Sequence, residues 1–432
     1  MRFTPLLLAP ALLFACSNSD SSSGDGALAD AGGGGPGSDA AAARPYVDPG
    51  TADWVPVPAG EVEETCKLDP AMLDAVDTVV RERGGLGWAL VRYGRLCHEY
   101  SPSGDDPPSE AFSATKTLGA LVTGAAAYQT RELPRTGPKT GPLSDMDRVD
   151  HWLDSFTFNR DAQVAHVLGM VGHGASLAPG QREFAYDTIG DVQINRLSDV
   201  VNTAIAQDPG RLGANLEEFT QRHVYQPLGM RSSTWSGVAP TKVYAFSWVT
   251  TLGDMARVGL LLLNHGMWNG ERILSEEWAY RMTHPSFEDA NTAYGYLTWL
   301  AARTNWINIF GPKLTAPGGP CLPAPLWNEY PHEPSGLPDC GYGPGVSCEQ
   351  ERDVGVWFAA GMNGQYIIGH PGLDMVVVVK RLHDGVLDPI EPLAAFTDPV
   401  LRAVAARDPV HAGDFDGFCA AYGANRHAPD LR

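Results

Sequence analysis

Ser113 and Lys116 stand three residues apart at the head of the stretch EAFSATKTLGALVTGAAAY, residues 110–128. A serine hydroxyl is a poor nucleophile at neutral pH and needs a base within hydrogen-bond reach. On a helix, positions three apart share a face about one turn along. A serine at the first turn of such a helix also gains a free backbone N–H and the positive end of the helix dipole, both suited to a developing oxyanion. A lysine can act as the base only when desolvation or nearby positive charge lowers its pKa. The run Thr117–Tyr128 carries no charge, and Gly119, Gly124 and several alanines in it allow close packing on all sides. The chain has only six lysines (67, 116, 139, 242, 313 and 380), so one inside an apolar stretch stands out. The competing reading is a stem that snorkels to the surface. Ser-x-x-Lys alone also arises often by chance.

The elements that would position this pair can be read on either side of it. Pro70–Arg83 has apolar residues at Met72, Leu73, Val76, Val79 and Val80, a helical spacing ended by Gly84-Gly85. Leu86–Tyr93 and Leu96–Tyr100 read as two strands around a turn at Gly94-Arg95. From about 130 to 245 the pattern is helical and rich in loops, with helices expected at Val164–Met170, Thr188–Thr203 and Leu216–Val224. Leu252–His265 and Trp278–Thr283 follow as further helices. Residues 303–350 are rich in Pro and Gly, carry three cysteines and lack periodicity, so they read as an insertion loop expected to wall the cleft. Asp353–Met362, Gly364–Gly369 and Met375–Arg381 read as consecutive antiparallel strands with turns at Asn363-Gly364 and Pro371-Gly372, and Leu393–Ala406 as a closing helix. The fold class expected is α/β (α+β): an antiparallel sheet built from both chain ends, flanked by helices, with an inserted, mostly helical lobe.

Several stretches, in chain order, now resemble one family. Ser113-Ala114-Thr115-Lys116 looks like the active-site motif of the serine β-lactamase and penicillin-binding-protein superfamily, and more closely of its class C, esterase and aminohexanoate-oligomer hydrolase branch. Phe184-Ala185-Tyr186-Asp187-Thr188 is similar to the Phe-x-Tyr-Ser-Asn segment, and Gln226-Pro227-Leu228-Gly229-Met230 to the Pro-Leu-Gly-Met turn. Thr251–Arg257 resembles the Thr-x-x-Asp-Met-Ala-Arg helix, and Tyr294–Trp299 the Tyr-Gly-Tyr-x-Trp-Trp strand. Ala360–Gln365 is similar to the Gly-x-Gly-Gly-Gln variant of the third motif. The match runs from about residue 70 to 405 and implies a β-lactamase/transpeptidase-like fold. It also implies a serine hydrolase working through an acyl-enzyme on Ser113, with Lys116 and Tyr186 moving protons. Tyr186, buried near an ammonium, is expected to favour its phenolate. The N–H groups of Ser113 and Met362 are the implied oxyanion donors, and Gly361 lets substrate lie along its strand.

The departures narrow the substrate. Thr188 stands where the family has Asn, and a hydroxyl cannot offer an amide's separate donor and acceptor. Ala359 stands where β-lactamases carry a Lys or His that holds the substrate carboxylate. An ester or amide substrate is therefore favoured over a β-lactam. A β-lactamase or D-alanyl carboxypeptidase, or a non-catalytic envelope binding module on the same fold, are the alternatives. Gln365 would bind substrate or tie strands together, Trp248 would line the cleft or the core, and His173 is a loop histidine with a minor claim to substrate contact. A Ser-His-Asp mechanism lacks its Gly-x-Ser-x-Gly elbow. No cysteine or histidine spacing resembles a zinc site, and neither metal nor cofactor is expected.

The chain's 432 residues suffice for a catalytic unit of two lobes, and the net charge of -20 argues against nucleic acid or an anionic membrane surface as partners. Residues 1–16 read as an export signal: Arg2, then an apolar core from Leu6 to Phe14 too short to span a bilayer, then Cys16 as a lipidation site. An exported protein tethered to its membrane by lipid is expected, with residues 17–60 as a flexible linker and the hydrolase domain over 61–432. Six further cysteines suit up to three disulfides; Cys66 with Cys97 is the first expected pair, and two of Cys321, Cys340 and Cys348 would staple their own loop.

Overall fold

The run GWALVR, Gly87–Arg92, is apolar at all but its last position, as a strand covered on both faces must be, and it forms β1, buried at every position. In a computed structural model of the chain, which describes residues 47–237, 242–291, 294–302, 353–384 and 390–407, β1 lies near one side of a six-stranded sheet. β2 is Arg95–Tyr100. Three short strands, β3 (Ser109–Glu110), β4 (Thr234–Trp235) and β5 (Trp248–Thr250), form a small separate sheet in the order β3-β5-β4. β6 (Met267–Trp268) and β7 (Glu271–Arg272) pair with each other. β8 (Trp299–Ala302), β9 (Asp353–Gly361), β10 (Gln365–His370) and β11 (Met375–Lys380) complete the large sheet, in the order β2-β1-β11-β10-β9-β8.

Every pairing in that sheet is antiparallel, with Leu90 opposite Val377, Val377 opposite Ile368, and Ile368 opposite Phe358. The sheet is thus built from both ends of the chain, as expected. Two of its turns carry positive φ at both central residues: Tyr93 and Gly94 at 54° and 74°, Asn363 and Gly364 at 62° and 77°. At Tyr93-Gly94, between the paired Arg92 and Arg95, this is the mirror-image turn whose twist matches a two-residue hairpin, whereas between Gly361 and Gln365 the loop has three residues. The first turn is centred on Tyr93-Gly94, one residue before the expected place, so β2 starts at Arg95.

Helices cover both faces. On one side the helix Pro70–Glu82 packs with Ile390–Arg407, and Trp88 of β1 joins them: its indole N–H donates to Asp77 at 2.7 Å and its ring meets Phe396 edge-on at 5.7 Å. On the other side the helix Leu252–Leu263 lies against β1, β10 and β11. Gly259 makes that approach possible, because a Cβ there would meet Val376 at 2.5 Å. Lys380, at the end of β11, is buried and ties the sheet to the loop before the Ser113 segment, with Asp106 at 2.7 Å and the Pro107 carbonyl at 2.8 Å.

Three expectations change. Residues 188–195 are turns, and the helix expected at Thr188–Thr203 is Arg196–Ile205. Gly190 sits at φ +83°, and the Asp187 carboxylate takes up N–H groups that a helix would have spent on carbonyls. The helix of the opening stretch is Thr115–Thr130; Ser109–Glu110 is strand β3 and Phe112–Ala114 a 3-10 turn. The linker does not extend to residue 60: Val47 and Val57 N–H donate to the carbonyls of Tyr93 and Leu96, and Trp54 packs against Trp268 and under Arg257. Trp54 and Val57 give this segment apolar surface to bury, which a tether lacks. Cys66 and Cys97 are joined as expected. The signal, Cys16, residues 303–350 and the other expected cysteine pairings lie outside the described residues. No helix among the described residues is long and apolar enough to cross a membrane.

Candidate active site

Residues 111–115 are clamped from two sides. Ala111 N–H donates to the Trp248 carbonyl at 2.7 Å, and Trp248 N–H donates to Thr115 Oγ1 at 3.1 Å. Trp248 itself is core: it is fully buried and its indole N–H donates to Ser233. From the other side comes the end of β9, where Gly361 lies so close that a Cβ would stand 2.1 Å from the Ala111 carbonyl oxygen. Between the clamps, Phe112 adopts φ +47°, a conformation costly for a bulky residue. It turns the chain sharply so that Ser113 follows in the 3-10 turn and the helix begins at Thr115.

That helix is buried almost along its full length, which explains its small residues. Gly119 packs on the Tyr244 ring and Gly124 on Trp278, where a Cβ would meet ring atoms at 2.5 and 2.3 Å. Lys116 is 2% exposed, so its stem does not snorkel. Its Nζ is 3.0 Å from Ser113 Oγ, 3.2 Å from the Thr188 carbonyl and 3.0 Å from the Ala245 carbonyl. Burial lowers its pKa from 10.5 to about 7, against the opposing pull of the Asp187 charge. The two carbonyls can only accept, so they use two N–H bonds of the amine. Its third direction is aimed at Ser113. In the neutral amine that direction is a lone pair, able to receive the serine proton.

Tyr186 differs from expectation. Its pKa is pushed up to about 12, first by burial, with the Ser113 hydrogen bond acting against the rise and Asp187 adding to it. The ring stacks on Trp299 at 5.3 Å and meets Tyr294 edge-on, and Lys116 Nζ faces the ring at 4.8 Å from its centroid. A phenolate is therefore not favoured: burial outweighs a neighbour that is itself driven towards the neutral amine. At neutral pH Tyr186 is a phenol, with the Ser113 side chain near enough to oppose its rise.

The remaining candidates fall into place unevenly. Met362 follows Gly361, the last β9 residue paired with β10, and its side chain is exposed. Thr188 exposes its side chain and presents its backbone carbonyl to Lys116. Gln365 is buried, and its side-chain oxygen accepts from the Arg381 N–H at 3.3 Å, a tie at the end of the hairpin. Ala359 is buried, and His173 is exposed on its loop. Among the described residues no group of His, Cys, Asp or Glu is gathered as for a metal ion.

Two residues that the sequence reading passed over are prominent. Asp187 is 3% exposed and its carboxylate accepts from the N–H groups of Gly190, Gln193 and Ile194 at 2.9, 2.8 and 3.0 Å. Asn195 Oδ1 accepts from Tyr244 and Ala245 N–H, while its amide donates to the Ile189 carbonyl at 3.2 Å. The spacing of Asp187 and Gly190 was the available signal, since Asp bonding to backbone ahead of a glycine marks a turn.

No family model and no curated protein matches the chain. Solved structures do. A family VIII carboxylesterase matches with a TM-score of 0.51 at 13% identity, over 81% of this chain and 99% of that one. A class C β-lactamase from Rhodobacter sphaeroides matches at 0.48 and 13%, over 78% and 100%, and a penicillin-binding-protein homologue from Caulobacter crescentus at 0.47 and 13%, over 78% and 98%. At such identities the likeness is one of fold, and the fold is the expected β-lactamase/transpeptidase-like one.

Proposed function

We propose that the chain is a serine hydrolase that cleaves an ester or amide through an acyl-enzyme on Ser113. The observation that carries this is the coordination of Lys116: a buried amine, about half of it neutral at pH 7, whose third direction points at Ser113 Oγ from 3.0 Å. In this reading Ser113 attacks the carbonyl carbon as its proton passes to Lys116. The Tyr186 phenol donates to the serine oxygen and then to the departing alkoxide or amine, and the proton held on Lys116 restores it. Backbone N–H groups of Ser113 and Met362 would receive the oxyanion; loss of one such donor costs roughly 2.7–4 kcal/mol in a comparable hydrolase. The alcohol or amine having left, water attacks the acyl carbon and gives a proton to Lys116, the proton passes to Ser113 Oγ as the acyl–oxygen bond breaks, and the acid is released.

An uncharged ester is the favoured substrate. Residues 183–193 carry Glu183, Asp187 and Asp191 and no Lys or Arg, and Ala359 offers no cation. Ile189, Phe246 and Met362, each next to a residue of the site, are exposed apolar side chains. These features favour apolar groups over a carboxylate. The test is turnover of p-nitrophenyl butyrate beside nitrocefin. Ester hydrolysis lost in Ser113→Ala, with slower nitrocefin turnover, is the expected result. Faster nitrocefin turnover would shift the reading to a β-lactamase, and a folded protein inert to both would leave the binding module.

A further inference from the structure

Lys116 owes its aim to groups that are not on its own helix. Thr188 and Ala245 are 57 positions apart in sequence, yet both carbonyls reach the same nitrogen. The segment between Asp187 and Asn195 links them. The Asp187 carboxylate gathers the N–H groups of Gly190, Gln193 and Ile194, which closes the loop directly after Tyr186 and Thr188. Asn195 completes it: its backbone N–H donates to the Gly190 carbonyl, and its side chain bonds Ile189 beside Thr188 on one hand and Ala245 on the other. Gly190, at φ +83°, is the only residue type that fits, since a Cβ would stand 2.2 Å from Asn195 Oδ1.

We infer that Asp187 and Asn195 are positioning residues for Lys116, folding the 187–195 loop so that the Thr188 and Ala245 carbonyls occupy two of the amine's directions and leave the third for Ser113. This rests on the reading that Lys116 is the base for Ser113. It also explains how the site can keep a directed amine with Thr188 in place of an amide side chain: backbone carbonyls hold the amine, and Asn195 supplies an amide from farther along the chain.

Asp187 has a second effect on the same group. Its negative charge opposes the lowering of the Lys116 pKa. The other titratable groups that its charge reaches are Tyr186 and Tyr294, both raised and both protonated at neutrality. Removing the charge should therefore move the Lys116 titration to lower pH.

The test is the second-order rate at which a fluorophosphonate probe labels the full-length protein, measured against pH. For the parent the rate should rise with pH, with its inflection near 7. For Asp187→Asn, checked for folding by circular dichroism, the inflection should move to lower pH and the plateau fall by about tenfold or more, since misplacement of an attacking group by 1 Å can cost about 100-fold. For Asn195→Ala, which keeps the charge, the plateau should fall by a similar factor. If the parent itself is not labelled, the functional reading fails. If the parent is labelled and folded Asp187→Asn keeps the parent's plateau, the positioning inference is overturned, whatever its inflection does. Should Asp187→Asn not fold, an Asn195→Ala plateau equal to the parent's overturns it.

Discussion

Lys116 Nζ has three oxygen neighbours, and two of them can only accept. That count is the ground for the proposed division of labour, in which the lysine, not Tyr186, removes the serine proton. The two shifts agree, with Lys116 lowered to about 7 and Tyr186 raised to about 12. Below the Lys116 value the amine is an ammonium and cannot accept, so kcat/KM should fall on the acid side with an inflection near 7. Replacing the base, Lys116→Met, should cost about 10²–10⁴-fold in kcat/KM. Lys116→Arg should not restore it, because a guanidinium stays protonated. A pH profile and two variants check this; activity retained in Lys116→Met would point to another base. The same shift has a cost in stability. The folded value lies below the unfolded 10.5, so the penalty of burying an ammonium is fully present below about pH 7 and fades as the pH rises towards 10.5. The displacement corresponds to roughly 5 kcal/mol, a large share of the stability of an ordinary domain.

Among the elements, the end of β9 and the turn before the long helix form the tightest junction of the site. Gly361→Ala would bring a methyl to 2.1 Å from the Ala111 carbonyl, which is backbone and cannot swing away. The variant should lose about 1–3 kcal/mol in a denaturant titration. Its kcat should fall about tenfold or more, because Ser113 and Met362 move relative to each other. Unchanged kcat would mean that this junction does not set the site. The elements around it were legible to different degrees. β1, β9, β10 and β11 could be read because their apolar runs are bounded by Gly-Gly, Asn-Gly and Pro-Gly. The burial of Lys116 could be read from the glycines and alanines that follow it. The 187–195 loop could not, because Ile189, Ile194 and Leu197 mimic a helical stripe while a buried carboxylate competes for the backbone. The positive φ at Phe112 had no signal at all: tertiary clamps from Trp248 and Gly361 impose it on a residue that would not choose it.

At the scale of the whole molecule, residues from about 87 to 380 close one sheet, and the site lies where the helix after Ser113, the 187–195 loop and the end of β9 meet. Motif order carried this much of the arrangement, since five or six weak signals in sequence constrain a topology that none fixes alone. The limit of the tether was missed because Trp54 and Val57 are sparse signals in a polar segment, and only their partners Arg257, Trp268 and Leu96 make them part of the domain. The disulfide Cys66–Cys97, with 31 residues of separation, ties this N-terminal region to β2 and is worth about 3–4 kcal/mol by loop closure. All of these parts serve one claim, that Ser113 is the nucleophile. The most direct measurement is the intact mass of the folded protein after reaction with a fluorophosphonate, followed by peptide mapping. One adduct is expected, on Ser113, absent in Ser113→Ala and strongly slowed in Lys116→Met. A folded protein that takes no adduct, or takes it on another residue, would contradict the account.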